Sequence, residues 1–254
     1  MRIGKQDRRS TAISTSTPET ITVRGRDLCA ELIGKTDFTS YFWLLVTGQA
    51  PTETQRFFAD AVLTAIAEHG LVPSVVAARM TYAAAPEAFQ GAVAAGLLGC
   101  GSVVLGSAEA AGRFLADLIE SGEDAGEAVA RLRAQRQAVP GFGHPLHAGG
   151  DPRANLLLEL AGERGVEGRH IAALRAVEAA LPKALGRSLP INVNGAIPAV
   201  MLDVGFPLAA LKGISLLARA ASLIAHLNEE SERPIGFILS GEAAAAIAYD
   251  GPEG

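Results

Sequence analysis

The chain has 254 residues, of which 49% are apolar and 19% charged, enough for one large domain or two small ones with a sizeable core, and this excludes a disordered chain. Aromatics make up only 5% and alanine takes their place, which favours close helix packing over a β-sandwich. The net charge of −5, with no basic run and no aromatic-basic platform, argues against nucleic acid as a partner.

The opening MRIGKQDRRSTAIS is charged and polar, unlike a signal peptide, and the first twenty residues read as an extended arm. Ile21 and Val23 suggest a short strand, followed by a turn at Gly25 and a short helix. A helix fits 38–46, closed by Gly48 and Pro51. Thr52 and Gln55 form a capping box for a long helix running to His69, with Gly70 at its end. Further helical periods cover 73–84, 87–100, 105–121, 123–138, 152–165, 169–185, 195–205 and 207–228. The expected fold class is all-α, with at most a small hairpin near the N-terminus. Cys29 and Cys100 are far apart and form no CxxC pair, so the expected compartment is the reducing cytoplasm.

The stretch 88–108 carries no formal charge and is long enough for a membrane span. Five glycines, Gln90 and two serines make it only weakly hydrophobic. A buried helix is expected instead, with Ala92, Ala95, Gly96 and Gly99 admitting another helix closely, and no membrane is expected as a partner.

The segment PGFGHPLHAGGDPR, 140–153, gathers rare polar side chains between two apolar helical stretches. Asp151 is a favoured N-cap and Pro152 suits the first helical position. Arg153 then sits in the first turn, where a cation opposes the helix dipole unless an anion neutralises both. That pattern suggests an anion site, against the alternative of a solvated arginine on an ordinary capped helix. His144, His147 and Asp151 raise the question of a metal, but the prolines and glycines between them prevent an i, i+3 geometry and there is no HExxH; no metal is expected. Ser215, Arg219, Ser222 and His226, spaced by four, three and four, form one stripe of a helix that is otherwise Leu, Ile and Ala. This is either a solvent-facing stripe or the wall of a site. His69 stands at a helix C-terminus, where partial charge is favourable.

These residues, read together, resemble the citrate synthase superfamily, and within it the short citryl-CoA lyase-like proteins and the lyase module of ATP-citrate lyase. Five stretches carry the likeness in order: ITVRGRDLCAELIGKTDFTSYFWLLVTGQAPT, EHGLVPSVVAAR, GFGHPLHAGGDPRA, NVNG and LLARAASLIAHLNEESERP. The resemblance implies a citrate synthase-like helical fold with a large domain, 1–106 and 209–254, and an inserted small domain, 107–208. It also implies a homodimer with shared active sites, for which the helix at 88–100 is an interface candidate. By the same resemblance, His69 holds the oxaloacetate or citrate part and His144 handles its carbonyl or tertiary hydroxyl. Arg153, Arg219 and Arg233 clamp carboxylates, with Arg233 reaching the other subunit's site. Coenzyme A enters as the acyl-CoA substrate. Three guanidinium forks suit a polycarboxylate, each able to form two parallel bonds.

Two departures from the family pattern matter. Synthases carry a histidine that polarises the acetyl thioester carbonyl, whereas this chain reads GSVVLGSAE with Val104 at that place; the lyase module lacks the histidine too. The relatives also use an aspartate in Asn-Val-Asp at the acetyl methyl, whereas here the motif is Asn192-Val193-Asn194-Gly195, and an amide does not exchange that proton at neutral pH. The expected activity is therefore cleavage of citryl-CoA, or of a related 3-hydroxy-polycarboxyl-CoA, to acetyl-CoA and oxaloacetate, weakened at Asn194. The alternatives are a catalytically impaired homologue or partner subunit that binds CoA or a polycarboxylate, and, behind that, a citrate synthase. Asn194-Gly195 is also a deamidation-prone pair that offers a route to aspartate at 194.

Overall fold

The computed structural model describes residues 9–101, 103, 105–143 and 149–252. The chain folds as two compact units, Met1–Asp60 and Ala61–Gly254.

In the first unit the extended arm is in part a strand. β1 (Ser14–Ser16) pairs antiparallel with β2 (Ile21–Val23), and β2 with β3 (Arg26–Asp27). The turn between β2 and β3 is Arg24-Gly25, both at positive φ, +51° and +80°. This is the two-residue geometry that matches strand twist. Arg24 is held there by its side chain, whose Nε donates to Leu45 O at 3.0 Å. The Asp27 carboxylate caps a short π-helical turn, Leu28–Leu32, and Val23, Leu32 and Leu44 form a small apolar core. α1 (Phe38–Thr47) starts at the Asp37 cap and stops at left-handed Gly48. α2 (Glu53–Ala67) opens on the expected capping box: Thr52 N donates to Gln55 Oε1 at 2.9 Å and Gln55 N to Thr52 Oγ1 at 3.2 Å.

In the second unit the helices fall close to the expected places: α3 (Pro73–Ala84), α4 (Phe89–Leu98), α5 (Ser107–Ser121), α6 (Ala125–Ala134), α7 (Pro152–Glu163), α8 (Arg169–Leu185), α9 (Val193–Asp203) and α10 (Leu211–Glu232). A further helix, α11 (Gly236–Ala246), was not expected. Its sequence GFILSGEAAAA is apolar almost all round and shows no 3.6-residue stripe to read. The all-α class is thus correct.

α9 is at the centre of one half of this unit. Residues 195–201 are all buried, and α5, α7 and α8 pack around the helix. Asp203, at its end, accepts from the backbone N–H groups of His170 and Ile171 at 3.0 and 2.9 Å, satisfying the open start of α8. In the other half, α3, α4, α10 and α11 pack together. Gly96 permits this, because a Cβ there would lie 2.7 Å from Leu223 Cδ1 and 2.8 Å from Ser74 O. Gly96 of α4 therefore serves packing within the chain. The uncharged 88–108 stretch is not one helix: α4 ends at Leu98 and α5 starts at Ser107. Among the described residues, one helical stretch, Leu208–Glu232, is long and apolar enough by length and composition to cross a membrane. Its interior side holds Ser215, Arg219, Ser222 and Glu230, all buried.

Arg79 of α3 joins these helices. Its Nε lies 2.6 Å from Glu230 Oε2, its Nη1 2.8 Å from Glu229 Oε2, and its Nη2 donates to Arg233 O at 3.1 Å. The other oxygen of Glu230 accepts from Ile235 N and Gly236 N at 2.9 and 2.7 Å, capping the start of α11. Arg79→Ala leaves Glu230 buried without its cation and is expected to cost about 3–5 kcal/mol, measured by denaturant unfolding; a loss below about 1 kcal/mol would show that water replaces the guanidinium freely.

Candidate active site

The loop before the undescribed residues 144–148 is tied to the start of α9. Gly143 N donates to Pro190 O at 2.8 Å, Asn192 N to Gly141 O at 3.0 Å, and Asn192 Nδ2 to Gly143 O at 2.6 Å. Gly141, at φ +87°, and Gly195 interlock: a Cβ on Gly195 would sit 2.5 Å from Gly141 O. Both positions require glycine, and the contact brings the 140s loop onto the helix that carries Asn194. His144 and Val104 lie outside the described residues.

Asp151 caps α7 as expected, with Pro152 at its first position, but it does more than cap. The carboxylate is fully buried. Oδ1 accepts from Arg153 N and Nε at 3.1 and 3.0 Å; Oδ2 accepts from Arg153 Nη2 and Val193 N, both at 2.9 Å. Burial raises this carboxyl, but the Arg153 guanidinium and the Val193 N–H outweigh it and hold the pKa below the usual range. The anion that balances Arg153 against the helix dipole is therefore supplied by the chain itself. Only Arg153 Nη1 reaches outward, to His69 Nε2 at 2.7 Å.

That contact settles the state of His69. A guanidinium only donates, so Nε2 accepts and the ring proton sits on Nδ1. Burial, then the charges of Arg153 and Arg219, push the imidazole pKa below its ordinary value. The expectation of partial charge at a helix C-terminus is not met: α2 has ended at Ala67, and two guanidiniums face the ring.

His69, Arg153, Asn194, Ser215 and Arg219 line one cavity of about 220 Å³, together with Ser107 and apolar side chains such as Val72, Leu105 and Val193. Leu105 has φ +66°, a strained backbone for a branched residue. Arg219 is only 2% exposed, and its Nε and Nη1 have no partner among the described residues. A buried cation without a counterion is costly, so the cavity is electrostatically prepared for a carboxylate. The α10 stripe is buried except at half-buried His226, and it divides in two: Ser215 and Arg219 line the cavity, while Ser222 and His226 bind Glu68. Arg233 is exposed at the end of α10 and does not line this cavity. The sequence reading missed Glu68, Arg79 and the apolar wall. The signal for Glu68 was its place beside His69, opposite the stripe.

Deamidation at 194 is disfavoured. Gly195 N donates to Asn192 O at 2.9 Å within the helix start, and its Cα is packed on Gly141. The nitrogen that would have to attack the Asn194 side chain already donates its proton within the helix start.

Two outcomes are expected. Gly195→Ala should destabilise the protein by about 1–3 kcal/mol in thermal or denaturant unfolding, since neither backbone can yield without moving the loop; a neutral substitution would show that the contact relaxes. Burial raises the Glu68 carboxyl, but donors from Ser222, His226 and Gly70 N bring it down to about 2 from 4.5. A depressed folded pKa means that Glu68 favours folding above about pH 4.5, and that this contribution disappears as pH falls towards 2. Its side chain is 56% exposed, so screening keeps the effect modest. An NMR titration of the Glu68 carboxyl carbon should show a midpoint near 2; an ordinary midpoint would refute the arrangement.

The family model for the C-terminal domain of citrate synthase matches residues 35–236. Citrate synthase from Haloferax volcanii is 27% identical over 194 residues, 75% of this chain and 51% of that protein, so the chain spans about half the length of this relative. Among solved structures, citryl-CoA lyase from Hydrogenobacter thermophilus superposes with a TM-score of 0.89 at 28% identity, covering 96% of this chain and 95% of that one. ATP citrate lyase from Methanothrix soehngenii, solved in complex with citrate and coenzyme A, superposes with a TM-score of 0.83 at 24% identity over 99% of this chain and 43% of that one; at that identity the likeness is one of fold. With the family model covering most of its length, and with the same helical architecture, the chain belongs to the citrate synthase family.

Proposed function

We propose that the protein is a carbon–carbon lyase of the citryl-CoA lyase type, which cleaves citryl-CoA or a related 3-hydroxy-polycarboxyl-CoA to acetyl-CoA and oxaloacetate. The observation that carries this reading is the buried, unpartnered Arg219 guanidinium, set in a cavity beside His69, Arg153 and Asn194. The near end-to-end match to the Hydrogenobacter lyase supports it.

Cleavage removes the proton of the tertiary hydroxyl. The carbon–carbon bond then breaks, the oxaloacetate carbonyl forms, and the electron pair passes to the acetyl thioester as an enolate, which a proton converts to acetyl-CoA. In this reading Arg219 takes one carboxylate, and Arg153 Nη1 turns to a second. Neutral His69 holds the acid part, and His144 receives the hydroxyl proton. Asn194 donates a hydrogen bond to the enolate while water protonates its carbon. The small domain, 107–208, closes over the substrate. Arg233 serves the second site of a homodimer, a state supported by the exposed apolar side chains Leu98, Ile224, Phe237 and Ile238.

One observation favours a second reading. The described residues lining the cavity include no carboxylate, and Asp151 beneath it is fully engaged. A homologue that binds a polycarboxylate or CoA without turnover fits that arrangement. The two are separated by assaying release of acetyl-CoA and oxaloacetate from citryl-CoA. The lyase reading expects slow release by the native chain, a gain of about 10²–10⁴ in rate for Asn194→Asp, and loss of citrate binding for Arg219→Ala. Product from Asn194→Asp but none from the native chain would identify a binding homologue.

A further inference from the structure

The group that presents His69 to this cavity is identified by a chain of contacts on the side away from the substrate. Glu68 Oε1 accepts from the backbone N–H of His69 at 2.9 Å and from that of Gly70. Oε2 accepts from Ser222 Oγ at 2.8 Å, and His226 Nε2 lies 3.1 Å from both oxygens. Four donors thus converge on one carboxylate, two from the turn after α2 and two from α10. Gly70, at φ +66°, lets the turn fold back onto the side chain.

The network continues outward. His226 Nδ1 lies 3.4 Å from Arg79 Nη1. Arginine only donates, so Nδ1 accepts and the His226 proton is on Nε2, facing Glu68. The same rule acts at the other end, where Arg153 leaves the His69 proton on Nδ1. Two arginines therefore fix both imidazole tautomers, with Glu68 between them. Arg79 is itself immobilised by Glu229 and Glu230.

We propose that Glu68 is a positioning residue: pinned to α10 by Ser222 and His226, its carboxylate holds the turn at 68–70 so that His69 Nε2 faces Arg153 and the substrate cavity. A general structural role fits less well, because Glu68 is more than half exposed and joins no apolar core. The consequence for substrate rests on the cavity being the site proposed above; the effect on the His69 ring does not.

The test uses the full chain with Glu68→Gln, His69→Ala and the double variant. The glutamine amide presents donors where the carboxylate accepts from both sides. Citrate affinity, measured by calorimetry, should fall about tenfold in Glu68→Gln and should show no further fall when Glu68→Gln is added to His69→Ala. His226→Gln, whose amide can donate to Glu68 and accept from Arg79, should keep the affinity that His226→Leu loses. In the ligand-free protein, imidazole ¹⁵N NMR should show His69 as the Nδ1–H tautomer in the native chain and a mixture in Glu68→Gln. Equal losses of affinity in both backgrounds, or a His69 spectrum unchanged by Glu68→Gln, would overturn the proposal. If the native chain binds no citrate, the substrate reading fails and the NMR comparison alone decides the role of Glu68.

Discussion

A guanidinium held out of water with two unpartnered nitrogens is the constraint on which this structure turns. Arg219 is in the middle of α10, the longest of the described helices, with Ser215 and Ser222 one turn to either side. Nothing among the described residues neutralises it. The nearby cation, Arg153, is already balanced by Asp151, so the cavity keeps the net charge of Arg219. That field helps hold His69 neutral and makes the site complementary to an acid. The carboxylate chemistry proposed for the site thus depends on a charge that the fold leaves unpaired until substrate arrives.

An uncompensated charge needs a rigid surround, and α10 is anchored at several points. Its last turns are bound to Arg79 through Glu229 and Glu230, and Glu230 also caps α11. Its middle is bound to Glu68 through Ser222 and His226. The one fully buried pair among them, Arg79–Glu230, contributes little net stability compared with apolar packing, and the half-exposed contacts contribute less. What they supply here is direction, since each donor and acceptor has one geometry that satisfies it. Along the polar stripe, Ser222 and His226 are therefore fixed by protein partners, while the Arg219 fork is left facing the cavity.

The glycine pair beside Asn194 works by contact rather than charge. Gly141 and Gly195 bring backbone against backbone, so residues 141–143 are packed directly on the first turn of α9. Asn194 is carried on that turn. The packing that presents it also holds Gly195 N in the helix, which protects the amide from the cyclisation its sequence invites. The chemistry at 194 is therefore that of an amide able to donate a hydrogen bond.

The local features were legible in the sequence. The capping box at Thr52-Gln55, the Asp151-Pro152 helix start, the stop at Gly48 and the helical periods depend on neighbours within a few residues, and each is present. Arg153 and Arg219 stand out in the sequence as cations on capped or apolar helices, while His69 and Asn194 are singled out by the family resemblance; the structure brings these four to one cavity, and Arg233, expected at the other subunit's site, is not among its lining residues. α11 was missed because it is apolar on most sides, and β1 because strand pairing is a contact between segments. The sequence alone determined which side chains were available and which helices would carry them. Only the tertiary structure decided which charges are cancelled and which are not. Arg153 is neutralised by Asp151 from within its own turn, Arg79 by a helix 150 residues away, and Arg219 by nothing described. Charge balance is a property of distance in space and of exclusion from water, and neither is written in the order of the residues.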